Sequence, residues 1–149
     1  MDDLERLLIE RRCERLVFDY AAFVDFGEAS RIADLFALDG VWEGEGIRME
    51  GRDAIRNGFS RRQGVTRRVS RHVCTNVRID VLGDDEARGV SYLINYRFDR
   101  REGDDPALPA PAGHPKFVGE YRDRFVRTPE GWRFAHRDCR LAFIRAPSR

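Results

Sequence analysis

Residues 71–100 read RHVCTNVRIDVLGDDEARGVSYLINYRFDR, with apolar and polar side chains alternating on either side of Gly83-Asp84-Asp85. A period of two broken by a turn signal predicts a hairpin, with strands at about Arg71–Leu82 and Ala87–Arg100. The same period returns at Lys116–Arg127 and again from Trp132 to about Ile144, with Pro129-Glu130-Gly131 as the second turn. Arg101–Pro115, rich in Pro, Gly and Asp, is too long for a plain hairpin connection and fits a lid or binding loop.

Toward the N-terminus the period lengthens. Leu4, Leu7 and Leu8, then Cys13, Leu16, Val17, Tyr20, Phe23 and Val24 recur at helical spacing, predicting one long helix over Leu4–Phe26 that stops at Gly27. Glu28–Phe36 reads as a short second helix before the Asp39-Gly40 turn signal, and a strand covers Val41–Gly44. Gly51-Arg52-Asp53-Ala54-Ile55 opens a third helix, with Asp53 placed to serve its unsatisfied first-turn amides. Helices first and long antiparallel strands after them define an α+β domain, with helices on one face of a mostly antiparallel sheet, in one domain over residues 1–149.

With 42% hydrophobic and 36% charged residues, the chain can bury a core and does not read as disordered. Its 27 basic and 26 acidic residues leave a net charge of +1, so no global field recruits nucleic acid or an anionic membrane. No apolar run is long enough to span a bilayer, and MDDLERLLIERR lacks the pattern of a secretory signal. The odd cysteines Cys13, Cys74 and Cys139 have no CxxC spacing, which fits a reducing cytoplasm rather than a disulfide or zinc framework. Gly44-Glu45-Gly46 lacks the third glycine of a dinucleotide fingerprint, and no Walker or GxSxG motif occurs, so no cofactor or metal is expected. Arg61, Arg62, Arg67, Arg68 and Arg71 form a basic cluster best read as a solvated rim or a subunit contact.

Three segments carry a resemblance: Tyr20–Glu28, Leu35–Trp42 and Gly51–Ile55, supported by Arg71-His72, Thr75-Asn76, Gly119–Asp123 and Gly131–Phe134. In these residues the chain resembles the nuclear transport factor 2-like superfamily, in its SnoaL-like and scytalone dehydratase-like branch, over almost its whole length. That resemblance implies a cone-shaped fold, with three N-terminal helices packed on a strongly curved sheet. It also implies a cavity between the first helix and the sheet, where an aspartate pairs with a strand histidine. The matching positions are Asp25 and His72. The two tyrosines of scytalone dehydratase fall on Val24 and Glu43, and its second histidine falls near Tyr96 and Arg97, so the fungal-type substrate is not implied.

The residues support the pair on their own terms. Asp25 has Phe18, Ala21 and Ala22 as helical neighbours, and a carboxylate among apolar groups needs a donor to stay ionised. A histidine can donate one N–H to it and keep the other nitrogen for proton transfer. On a regular strand, however, His72, Cys74, Asn76 and Arg78 share one face, while Val73, Thr75, Val77 and Ile79 share the other. A cavity lined by the apolar face would turn His72 away. Either a second subunit covering that apolar face or a bulge would return it. On the next strand Tyr92 and Tyr96 fall on one side and Asn95 on the other, and any of them could hold a substrate oxygen. Tyr20 and Trp42 are candidate pocket residues, Glu43 beside Trp42 is a candidate acid in it, and His136, in phase with Trp132 and Phe134, is either a second cavity histidine or a satisfied core or surface histidine.

The expected function is a cofactor-free lyase of dehydratase type, acting on a small aromatic or polyketide-like carbonyl compound in an apolar cavity through His–Asp general acid/base catalysis. Two other readings are a non-catalytic hydrophobic-ligand-binding or structural subunit, like the small subunit of aromatic-ring dioxygenases, and an isomerase of the ketosteroid type with Asp25 as base. The resemblance further implies a homodimer or higher homo-oligomer.

Overall fold

In the computed structural model, which describes residues 1–147, the chain opens with helix α1, Asp3–Asp25. Asp2 caps it by accepting from the Glu5 amide at 2.8 Å while Glu5 reaches back to the Asp2 amide at 2.9 Å. Two otherwise unsatisfied donors are thereby paired. Gly27, with φ of +79°, ends the helix in the left-handed region that a residue with a Cβ resists. The second helix is a short 3-10 helix, Ala29–Leu35, whose Ile32 and Ala33 are fully buried. Helix α2, Arg52–Gln63, buries Ile55 and Phe59.

Six strands form one sheet: β1 Phe36–Gly44, β2 Ile47–Glu50, β3 Arg68–Val81, β4 Glu86–Asp99, β5 Phe117–Thr128 and β6 Gly131–Ile144. Their order is β2-β1-β6-β5-β4-β3, antiparallel throughout except for the parallel β1–β6 pair. The α+β class, the three helices and the four long strands match the sequence expectation. β2 was not expected, and β1 begins five residues earlier than Val41. The helices cover the inner face, where Val17, Tyr20, Ile32, Phe36, Phe125 and Phe134 form the core.

Bulges curve the sheet and reset which side chains point inward. In β3 the pairing with β4 slips between Thr75 and Arg78, and Asn76 takes a φ of +51°. Before the slip Ser70, His72 and Cys74 face the helices; after it Val77, Ile79 and Val81 do. One inserted residue shifts the alternation by one, so the apolar second half of the strand and His72 lie on the same inner face. In β6 a slip at Phe134–His136 has the reverse effect. Trp132 and Phe134 are inward, Ala135 is the extra residue, and Arg137 and Cys139 take the inner positions.

Candidate active site

Asp25 is the last residue of α1, where carbonyl groups point outward and a carboxylate is disfavoured by the helix dipole. No basic residue in the last turn offsets this. Strand β3 does so instead. Asp25 Oδ1 accepts from Ser70 Oγ at 2.8 Å and meets His72 Nδ1 at 2.7 Å, while Oδ2 accepts from the His72 backbone N–H at 2.7 Å. The side chains of His72 and Asp25 are only 13% and 6% exposed, so water does not compete for these bonds. A carboxylate accepts only, so Nδ1 holds a proton, and in the neutral imidazole Nε2 then carries the lone pair.

That lone pair faces Asn95, which lies directly across from His72 in the β3–β4 register. Asn95 Nδ2 is 3.1 Å from His72 Nε2, and Asn95 is buried. Both residues line a cavity of about 150 Å³. Its aromatic wall is Tyr20, Trp42, Phe59, Phe117 and Tyr121, and the Trp42 indole donates to the Tyr20 hydroxyl at 3.0 Å. Cys139 also borders it, with its thiol pushed up to about 11 by burial, so it stays a neutral thiol near neutral pH. Among the described residues, no cluster of His, Cys, Asp or Glu is arranged to hold a metal ion.

Of the expected site residues, Asp25, His72, Asn95, Tyr20 and Trp42 come together, and four others do not. Tyr92 and Tyr96 are 52% and 43% exposed on the outer face of β4, because Ser91, Leu93 and Asn95 occupy the inward parity. Glu43 alternates with the inward Trp42 and points outward, and the β6 bulge turns His136 outward as well. Those two meet each other instead, at 2.5 Å, with Arg48 2.7 Å from the same carboxylate. Hydrogen bonds from Arg48 and His136 hold Glu43 below the usual carboxylate range.

The cavity also departs from the apolar expectation. Ser70, Arg62, Arg68 and Arg97 line it, and none of them was expected there from the sequence. Ser70 could have been found, since it shares a strand face with His72 two residues on. Arg62 and Arg68, expected at a solvated rim or subunit contact, instead turn toward the cavity, and Arg62 Nη2 donates to Ser70 Oγ at 3.1 Å. Arg71 lies over the Phe26 ring at 4.9 Å. Behind the aromatic wall, Arg137 and Asp123 form a fully buried bidentate pair at 2.8 and 3.0 Å, with the guanidinium against the Tyr121 and Tyr20 rings. Burial raises the Asp123 carboxyl above its ordinary value against the opposing pull of the guanidinium, while the carboxylate carries Arg137 above its own; the fork geometry on both oxygens is that of an ion pair.

Three helices packed on a curved, mixed six-stranded sheet are the architecture of the NTF2-like, cystatin-like class. Within it, this chain belongs to the SnoaL-like domain family, whose profile matches residues 5–138. A candidate scytalone dehydratase from Novosphingobium aromaticivorans superposes with a TM-score of 0.75 at 25% identity, covering 93% of this chain and 87% of that one. An NTF2-like protein with a cystatin-like fold, also from Novosphingobium aromaticivorans, gives 0.73 at 25% identity over 92% and 84%. The hexachlorocyclohexane dehydrochlorinase LinA-type3 of Novosphingobium barchaimii shares the fold alone, with a TM-score of 0.74 at 19% identity over 97% and 93%. No curated protein matches the sequence. No helix among the described residues is long and apolar enough to cross a membrane.

Proposed function

We propose that this protein is a cofactor-free lyase of dehydratase type, in which His72 removes a proton beside a substrate carbonyl and then protonates the departing hydroxyl. The 2.7 Å contact between His72 Nδ1 and Asp25 carries this reading. It fixes the tautomer with the basic nitrogen in the cavity and places a negative charge behind the ring as the imidazolium forms. One group serves both steps, since the proton taken from carbon is the proton returned to oxygen as water leaves. Asn95 donates to Nε2 in the resting state, and a half-turn of its amide presents Oδ1 to the imidazolium. Trp42, Phe59 and Tyr121 would hold an aromatic substrate in place. The likeness to the candidate scytalone dehydratase, at 25% identity, supports the same class.

The test uses the aldol of benzaldehyde and acetone, a β-hydroxy ketone whose dehydration to a conjugated enone is read by ultraviolet absorbance. His72→Gln is expected to lose turnover by about a thousandfold, the range of general acid–base catalysis. Alongside it, nitrogen-15 NMR of the imidazoles is expected to show the His72 proton on Nδ1 in the native chain. A His72 ring protonated on Nε2, or turnover indifferent to His72→Gln, overturns the proposal.

We further infer that the outer sheet face pairs with a second copy of the chain. Val73, Val90, Tyr92 and Tyr96 stand exposed side by side on β3 and β4, an apolar patch unusual for a lone subunit. Light scattering that gives the mass of one chain would remove this reading.

A further inference from the structure

Three guanidiniums from three elements converge on the cavity: Arg62 from α2, Arg68 from β3 and Arg97 from β4. Among the described residues a single carboxylate, Asp99, pairs with them. It accepts from Arg68 Nε and Nη2 at 2.7 and 3.0 Å and from Arg97 Nη2 at 3.1 Å. Asp25 is already committed to Ser70 and His72. Glu45, the one acid among the described lining residues, belongs to the β1–β2 turn, is exposed and forms no ion pair with the three arginines.

Arg62 is therefore left with one modest partner, the Ser70 hydroxyl. It is half-buried, and burial with the neighbouring Arg68 and Arg97 charges lowers its pKa against a smaller opposing effect of the Asp25 and Asp99 carboxylates, neither of which pairs with it directly. A partly desolvated guanidinium beside two others, with no counter-ion of its own, is unfavourable until an anion arrives. Its planar fork matches a carboxylate by two parallel hydrogen bonds.

We propose that the cavity selects a small organic acid, held by its carboxylate at Arg62 with Arg97 and Arg68 behind it, and with its apolar part against Trp42, Phe59 and Phe117. The volume sets the size. A cavity of about 150 Å³ is the size that takes one benzene ring, which points to the single ring of a monocyclic aromatic acid. A phosphate monoester, with more charge to neutralise, is poorly served by one unpaired guanidinium. The inference rests on the lyase reading for the role of the site, because it names the class of molecule that His72 would meet.

The probes are benzoate and benzamide, which share shape and differ in charge. Their dissociation constants are measured by NMR titration, following the arginine Nε–H and His72 ring signals. Benzoate is expected to bind at least about tenfold more tightly than benzamide, as charge-assisted hydrogen bonds warrant. Arg62→Gln, which keeps a donor for Ser70, is expected to remove that preference, while the exposed control Arg61→Gln retains it. Arg97→Gln is the second variant, expected to weaken benzoate by a smaller factor, and melting curves check that each variant folds. Equal affinity for the two probes, binding of neither, or a benzoate preference intact in both cavity variants overturns the inference. These outcomes need no turnover. A benzoate preference lost in Arg62→Gln, in a chain whose dehydration ignores His72→Gln, would keep the anion site and discard the lyase. The reverse combination would keep the lyase and discard the anion site.

Discussion

The molecule holds two histidine–carboxylate pairs that look alike as distances and differ in almost everything else. His72 and Asp25 meet at 2.7 Å, and His136 and Glu43 at 2.5 Å. The first pair is 13% and 6% exposed on the concave face, with a hydroxyl, a backbone amide and a buried asparagine completing its bonds. The second is 34% and 31% exposed on the outer face, and its carboxylate is shared with Arg48. An exposed ion pair in water contributes little, and salt weakens it further. Proximity alone does not make a site; the role proposed for the first pair rests on its dry surrounding and on the cavity that His72 lines.

The sharpest way to break this comparison is turnover. His72→Gln is expected to cost about a thousandfold in dehydration of the β-hydroxy ketone, and His136→Gln less than about twofold. An equal loss in both would mean that the outer pair also does chemistry. Stability gives the next largest contrast. Asp25→Ala strands the Ser70 hydroxyl and both His72 donors in a buried place, for a loss of about 2–4 kcal/mol in urea unfolding. Glu43→Ala leaves its partners in water, and its unfolding midpoint is expected to match the native chain.

A smaller effect tests what holds His72 on the inner face. Asn76 sits at φ of +51°, where a β-branched side chain is strained. Asn76→Val is expected to cost about 1–2 kcal/mol, whereas Asn76→Gly should be close to neutral. The gentlest probe changes no residue. Because Asp25 meets Nδ1 and Glu43 meets Nε2, one nitrogen-15 spectrum taken above the imidazole titration should show opposite tautomers, with the proton on Nδ1 of His72 and on Nε2 of His136. Matching tautomers would dissolve the contrast.

Much of the fold was legible because it follows local periodicity. The apolar stripe of α1 and the long alternation of β3 to β6 needed only a turn of 3.6 residues or a pleat of two. β2 escaped notice because four residues, three of them exposed, carry no period worth reading. The pairing of Asp25 with His72 was reached through resemblance and through the chemistry of a carboxylate among apolar neighbours. The faces of the two strand histidines were not settled by alternation. It turned His72 away from an apolar cavity and His136 toward one, and a bulge reversed each assignment. Tyr92 and Tyr96 were candidates because tyrosine suits a substrate oxygen, yet the parity that seats Asn95 opposite His72 sends both outward.

The amino-acid order by itself determined the helices and the long strands, their sequence and the residue types available for proton transfer, since these depend on neighbours a few positions apart. Only the tertiary structure decided which side of the sheet each side chain occupies and which distant arginines gather at one cavity. A single inserted residue shifts the strand alternation by one, and its place is set by how the curved sheet closes around the helices rather than by any local pattern.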